Sequence, residues 1–224
     1  MCGVVCAFDI KEDSKALRYQ ILEMSKKVRH RGPDWSGIYS DSDSILAHER
    51  LAIVDPISGN QPLINKEGNL ILSVNGEIYN HRELKTDHCK HYNFKTESDC
   101  EIILALYEKY GIDFIDMLNG IFAFALFDKE KNHFLIARDH IGIIPLYKGY
   151  NENGTFFIAS ELKALESYCN EISIFPPGHY MTNKSIEPVK WYKRNWISLS
   201  GTNKKKIKTI ELKESLENAV HRQL

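Results

Sequence analysis

The sequence predicts an α+β domain built of packed layers, because short strand patterns dominate it and two internal helical patterns interrupt them. The strand patterns are apolar or β-branched segments at 4–10, 44–48, 51–54, 70–74, 121–127, 134–137 and 155–159. Connections between the patterns from 44 to 74 are too short for helical crossovers, so antiparallel pairing is expected. The first pattern begins almost at residue 1, which places the N-terminus inside the fold.

The two internal helices are indicated by apolar periodicity. Leu17, Ile21, Met24 and Val28 recur at spacings of 4, 3 and 4, which predicts a helix that ends before 29–33. A second helix is predicted over 98–111: it has a capping box at Ser98-x-x-Glu101, an apolar stripe over 102–110, and Gly111 as its stop.

The end of the chain has a different composition. A polar segment at 200–203 and three lysines at 204–206 precede a helical stripe formed by Leu212, Leu216, Val220 or Ala219, and Leu224. The stripe either packs back on the domain or begins another one, and we favour the second. The predicted domains are 1–199 and a linker with the first helix of a missing neighbour at 200–224.

Composition excludes several classes of protein. Lys and Arg total 29 against 30 Asp and Glu, so no net field attracts nucleic acid or a membrane. No apolar run approaches the ~20 residues of a membrane span. The five cysteines have irregular spacing and no C-x-x-C pair, which fits a reducing compartment, and a cytoplasmic location is predicted. His88, Cys89 and His91 are too few and too isolated to predict a metal site.

Cys2 is a candidate nucleophile. If Met1 is removed, the thiol and a free α-amine lie on one residue, and an amine with a pKa of about 7.7–8.0 can accept the thiol proton. Small second residues such as Cys permit that removal. The alternative is that Cys2 is a small apolar residue opening a strand, like Cys6.

Four further residues carry polar groups suited to a site. Asn75 and Gly76 could supply two donors to an oxyanion, although Asn-Gly is also a common hairpin turn. Arg50 stands between two apolar runs and suits a carboxylate partner. Asp99 lies in the first turn of the second helix, where a carboxylate is favoured in any protein.

Taken together, the motifs resemble the N-terminal glutaminase domain of glutamine-dependent asparagine synthetases, a class II glutamine amidotransferase with the N-terminal-nucleophile hydrolase fold. Besides Cys2, the motifs are Arg29-His-Arg-Gly-Pro-Asp34, His48-Glu-Arg-Leu51, Asn75-Gly-Glu-Ile-Tyr-Asn80, Ser98-Asp99, Arg138-Asp-His-Ile-Gly142, Glu161-Leu-Lys163 and Phe175-Pro-Pro-Gly-His179. The resemblance covers essentially the whole chain. It implies a four-layer αββα sandwich of two antiparallel sheets.

The resemblance also implies roles for individual residues. Cys2 attacks the side-chain amide of L-glutamine, with Asn75 and the Gly76 N–H as the oxyanion hole. The substrate α-carboxylate is held by Arg50 and its α-ammonium by Asp99. Backbone groups of Leu51, Ile53 and Glu77 help to seat the substrate.

In the family, a synthetase domain follows and converts aspartate to asparagine with ATP and Mg²⁺. This sequence has no nucleotide-binding loop, so no cofactor is expected for the glutaminase domain itself. The expected partners are L-glutamine and the covalently linked synthetase domain, and homodimer formation is left open. Two alternative functions also remain open: a non-catalytic scaffold for a synthetase domain, and an amidase acting on another amide.

Overall fold

The computed structural model describes residues 1–185, 187–194 and 208–223. Its strands are β1 (Gly3–Phe8), β2 (Trp35–Ser40), β3 (Ser44–Arg50), β4 (Leu63–Ile64), β5 (Leu70–Ile78), β6 (Gly120–Asp128), β7 (His133–Arg138), β8 (Tyr147–Tyr150), β9 (Phe156–Ala159), β10 (Glu171–Ile174), β11 (His179–Thr182) and β12 (Val189–Lys190). Its helices are α1 (Ser14–Lys26), α2 (His81–His88), α3 (Ile102–Tyr110), α4 (Leu162–Leu165) and α5 (Thr209–His221), with 3₁₀ turns at Arg29–Arg31, Asp99–Glu101 and Gly111–Met117.

The strands form two six-stranded sheets in which every neighbouring pair is antiparallel. The first sheet has the order β10-β8-β9-β1-β3-β2, and the second has the order β12-β11-β7-β6-β5-β4. The predicted α+β class and antiparallel pairing are therefore confirmed. The N-terminal strand β1 lies inside the first sheet, between β9 and β3.

Three apolar clusters separate four layers. Alternate residues of β1 face opposite sides, as the two-residue period of a strand requires. Val5 and Ala7 pack with Leu17 and Ile21 of α1, whereas Val4, Cys6 and Phe8 pack against the second sheet. The other face of the second sheet packs on α3. The order of layers is thus helix, sheet, sheet, helix, which confirms the αββα sandwich.

One predicted strand is wrong. Residues 51–54 form a loop after β3, because their backbone groups bond to side chains instead of a neighbouring strand. The Ala52 N–H donates to Asp34 Oδ2 at 2.9 Å, and the Val54 carbonyl accepts from Arg50 at 3.2 Å.

The predicted capping box is half formed. Ser98 Oγ accepts from the Cys100 N–H at 3.3 Å, but Glu101 accepts from the N–H groups of Lys95 and Thr96, both at 2.8 Å, instead of from Ser98. The start of the predicted helix is consequently a 3₁₀ turn, and α3 begins at Ile102.

The contacts divide the chain into Met1–Trp191 and Tyr192–Leu224. The predicted boundary at 199/200 lies outside the described residues, as does Leu224, so that boundary stays a prediction. In the second unit, α5 has exposed Leu212, Leu216 and Val220, the stripe predicted from the sequence.

Candidate active site

A cleft opens where the residue before β1, the end of β3 and the last residues of β5 meet. The volume of this cleft, including the open solvent at its mouth, is about 540 Å³. It is lined by all eight residues predicted for the site, namely Cys2, Arg50, Leu51, Ile53, Asn75, Gly76, Glu77 and Asp99. The structure thus brings together positions that are spread over nearly a hundred residues of sequence.

Cys2 precedes β1 and presents its thiol to the cleft. The Leu51 N–H donates to its Sγ at 3.4 Å, and the thiol lies 3.7 Å from the Leu51 carbonyl oxygen. Burial raises the pKa of the Cys2 thiol, and the Leu51 N–H and the charges of the N-terminus, Arg50 and Arg31 oppose this rise only in part. The thiol is therefore protonated near neutral pH and needs a base to become a nucleophile.

The main chain of Cys2 is held by a residue that sequence reasoning assigned no role. Arg31 Nε donates to the Cys2 carbonyl oxygen at 2.9 Å. The only sequence signal for Arg31 is its membership of the Arg-Gly-Pro loop.

Asn75 carries an unsatisfied buried donor. Its side chain is 1% exposed, and its Nδ2 atom has no hydrogen-bond partner among the described residues. Buried amide donors are nearly always paired, so an unpaired one that lines a cleft calls for a functional explanation. Asn75 and Gly76 lie within β5, paired with Ala123 and Phe122, which excludes the hairpin-turn alternative.

Gly76 has no room for a side chain. A Cβ atom at this position would lie 2.1 Å from the Ile121 carbonyl oxygen on β6. Only glycine lets β5 approach β6 this closely while its backbone stays exposed to the cleft.

Arg50 ends β3 and is 4% exposed. Its guanidinium donates to the carbonyls of Val54 at 3.2 Å and Pro56 at 3.4 Å, to the Asp55 carbonyl, and to Asn60 Oδ1 at 3.2 Å. Within the described ranges, it forms no ion pair with a carboxylate. The buried charge thus organises the loop at 54–60 through neutral acceptors, and an anionic ligand would complement it.

Asp99 supplies the opposite charge. It is 5% exposed, and its Oδ2 atom accepts from the Ile78 N–H at 2.7 Å. A cleft that presents one buried cation and one buried anion matches a zwitterion.

A second thiol, Cys100, also lines the cleft and was not predicted. Burial and then the Asp99 charge raise its pKa well above the ordinary value, so it stays protonated. Its Sγ lies 3.7 Å from the Gly76 carbonyl oxygen and 3.6 Å from Asp99 Oδ2. No sequence pattern distinguishes this cysteine from the other buried ones.

The described residues contain no group of three His, Cys, Asp or Glu side chains placed to hold a metal ion. No described helix is both long and apolar enough to span a membrane. All five cysteines are described, and all are free thiols.

The two-sheet sandwich defines the fold class. The solved structure of an allosteric regulatory enzyme of purine biosynthesis matches 86% of this chain, over 50% of its own length, with a TM-score of 0.70 at 21% identity. Glutamine phosphoribosylpyrophosphate amidotransferase from B. subtilis matches the same shares with a TM-score of 0.68 at 20% identity. At these identities the likeness carries the fold alone, and it confirms the sandwich of two antiparallel sheets between helices.

Sequence relatives identify the family. Residues 1–193 match the family model of the glutamine amidotransferase domain, and the chain belongs to this family. Asparagine synthetase B of Escherichia coli (strain K12) is 50% identical over 220 residues, and asparagine synthetase 1 of Arabidopsis thaliana is 45% identical over 224 residues; both names carry the qualifier glutamine-hydrolyzing. These matches cover 98% and 100% of this chain but 40% and 38% of the relatives, so the chain spans about two fifths of their length.

Proposed function

We propose that this domain hydrolyses L-glutamine to glutamate and ammonia with Cys2 as nucleophile, once Met1 has been removed. The observation that carries the proposal is the unpaired Nδ2 donor of buried Asn75, in the same cleft as the Cys2 thiol. An oxyanion formed by attack of that thiol would satisfy a donor that otherwise costs free energy.

The first half-reaction forms a thioester. The α-amine of Cys2 takes the thiol proton, and the sulfur bonds to the amide carbon of glutamine. Asn75 Nδ2 and the Gly76 N–H stabilise the tetrahedral oxyanion. The carbon–nitrogen bond then breaks as the protonated amine returns its proton to the leaving nitrogen, which departs as ammonia.

The second half-reaction restores the enzyme. Water loses a proton to the α-amine and attacks the thioester carbon through the same oxyanion site. The carbon–sulfur bond breaks, the proton returns to sulfur, and glutamate leaves. The two halves sum to glutamine and water giving glutamate and ammonia.

The two buried charges select the substrate. Arg50 receives the α-carboxylate and Asp99 the α-ammonium, while Leu51, Ile53 and Glu77 border the substrate between them. Arg50 must exchange some of its carbonyl acceptors at 54–56 for the carboxylate. A charged acceptor is the stronger partner, so the exchange is favourable.

In the longer protein, we propose that the ammonia passes to a linked synthetase domain that makes asparagine from aspartate in the cytoplasm. ATP and Mg²⁺ belong to that domain. The proposal follows from the activity that the relatives' names state and from the 40% of the E. coli relative's length that this chain matches. Homodimer formation by the longer protein is a further proposal, which light scattering on that protein tests.

Intact mass and ammonia release test the glutaminase proposal together. The expected result is a chain that begins at Cys2 and releases ammonia from glutamine, whereas Cys2→Ala does not. Protein that retains Met1 should be inactive, because its Cys2 nitrogen is an amide and cannot act as base.

A mature chain without activity would instead support the scaffold alternative. Release of ammonia from another amide, but not from glutamine, would support the alternative amidase.

A further inference from the structure

The N-terminal residues are held by a group of side chains distant from the cleft in sequence. Ser160 forms two hydrogen bonds with the backbone of Val4. Its Oγ accepts from the Val4 N–H, and its N–H donates to the Val4 carbonyl, both at 2.9 Å. Arg31 binds the Cys2 carbonyl at 2.9 Å. Cys2 lies before the first residue of β1, where chain ends are usually poorly ordered. The contact with Arg31 therefore fixes the position of the Cys2 carbonyl.

Glu161 fixes Arg31 in turn. Arg31 Nη1 donates to Glu161 Oε1 at 2.9 Å, and His30 Nε2 lies 3.0 Å from the same oxygen. Lys163 Nζ lies 3.0 Å from the other carboxylate oxygen, Oε2. Burial would raise the pKa of Glu161, but the bonds from Arg31, Lys163 and His30 outweigh it and lower that pKa to about 2.

The other end of Arg31 is anchored through its backbone. The residue lies in the 3₁₀ turn Arg29–Arg31, where Arg29 pairs with Glu49 of β3 at 2.6 Å. A Cβ on Gly32 would lie 2.1 Å from the Glu49 carbonyl oxygen, so this turn is packed tightly on β3. The backbone of Arg31 is therefore fixed against β3, and the hydrogen bond to Glu161 orients its guanidinium.

We propose that Glu161 is a positioning residue of the glutaminase, which orients Arg31 and, through Arg31, holds the main chain of Cys2 where its α-amine meets its thiol. The proposal rests on the proposed function of Cys2. Glu161 is absent from the described residues that line the cleft, so it acts without touching the substrate.

The test is Glu161→Gln in the mature chain, since glutamine keeps the shape but not the charge. We expect kcat to fall by about tenfold, short of the ~100-fold that a 1 Å misplacement can cost. KM for glutamine should change less than about twofold, because the substrate contacts are intact. Glu161→Asp, which restores the charge, should recover part of kcat.

The matched control is Glu12→Gln. Glu12 also accepts three side-chain hydrogen bonds, from Asn151, Asn153 and Thr155, but on another part of the sandwich. Its kcat should equal that of the wild type. A wild-type kcat in Glu161→Gln would overturn the proposal, and so would additive effects of Glu161→Gln and Arg31→Lys in a double-mutant cycle.

A second readout separates this proposal from the glutaminase proposal. The rate at which iodoacetamide alkylates Cys2, followed by peptide mass across pH 6–9, reports the thiol and its amine without any substrate. Glu161→Gln should slow this reaction and shift its pH profile, even if the wild type hydrolyses no glutamine. Unchanged alkylation together with lowered kcat would show that Glu161 does not act through Cys2.

Discussion

The Leu51 N–H donates to the Sγ atom of Cys2 at 3.4 Å, and Leu51 directly follows Arg50 in the chain. The peptide that contacts the thiol is therefore continuous with the residue whose guanidinium organises the loop at 54–60. A ligand that displaces loop carbonyls from Arg50 acts one residue away from Leu51, whose N–H contacts the Cys2 thiol. If Arg50 binds the substrate as proposed, this short segment couples substrate recognition to the position of the thiol.

Replacing Asn75 with Ala should lower kcat by about 10²–10³-fold with little change in KM. The reason is that one of the two proposed oxyanion donors is lost, and such donors act in the transition state more than in the ground state. Steady-state ammonia release from the mature chain measures both constants.

Thermal unfolding provides the control for this variant. The Nδ2 atom of Asn75 has no partner in the structure, so its removal deletes no hydrogen bond from that atom. We expect a melting temperature near that of the wild type. A variant with wild-type kcat would show that Asn75 is not an oxyanion donor.

Arg50→Ala should raise KM for glutamine at least about fivefold, or roughly 1 kcal/mol, a lower bound set below the ~1.5–3 kcal/mol of a hydrogen bond to a charged group. Because Arg50 also holds the loop at 54–60, the assay should compare L-glutamine with its α-amide, which lacks the carboxylate charge. The wild type should prefer glutamine, and Arg50→Ala should lose that preference.

The exposed Arg82 on α2 offers a matched control, and Arg82→Ala should keep the wild-type preference. If Arg50→Ala weakened both substrates equally, Arg50 would act on the loop alone and another residue would bind the carboxylate.

Local sequence patterns predicted the elements whose partners are close by or whose faces are regular. The apolar periodicity of α1 and the continuous apolar run of β6 needed no tertiary information. The segment at 51–54 has the same apolar character, but its backbone groups form hydrogen bonds with the side chains of Asp34 and Arg50, so no strand forms. Side-chain competition of this kind depends on contacts that no local window contains.

The site shows the same division. The resemblance identified Cys2 and Asn75 as candidate site residues, although the local Asn-Gly pair favoured a turn. Only the pairing of β5 with β6 shows that Asn75 and Gly76 lie in a strand. Glu161 appeared only within a motif and received no role, because its partner Arg31 is 130 residues away in sequence. Cys100 was missed because no sequence pattern distinguishes it from the other buried cysteines, and only the fold places it at the cleft.

A buried histidine should make the fold sensitive to acid. His48 of β3 bonds through Nδ1 to Ser73 Oγ of β5 at 2.9 Å, which links the two sheets, and both residues are 0% exposed. Burial, with a smaller contribution from the charge of Arg50, lowers the pKa of His48 from 6.5 to about 3. Below pH 6.5 His48 is therefore protonated in the unfolded chain, whereas in the folded chain it stays neutral down to about pH 3.

It follows that folding stability falls as the pH drops from about 6.5 towards 3, with a slope from His48 approaching about 1.4 kcal/mol per pH unit. His48→Gln removes the titrating group. The free energy of unfolding of this variant should therefore fall less steeply with decreasing pH, by about 1.4 kcal/mol per pH unit, even if the substitution lowers stability at pH 7. Urea unfolding of both proteins at pH 7, 6, 5 and 4.5 measures the difference, in which the contributions of the other groups cancel. Replacing the exposed His91 with Gln should leave the slope unchanged. Parallel pH profiles for His48→Gln and the wild type would mean that His48 can take up its proton in the folded state, and hence that the contact between the sheets tolerates a charge.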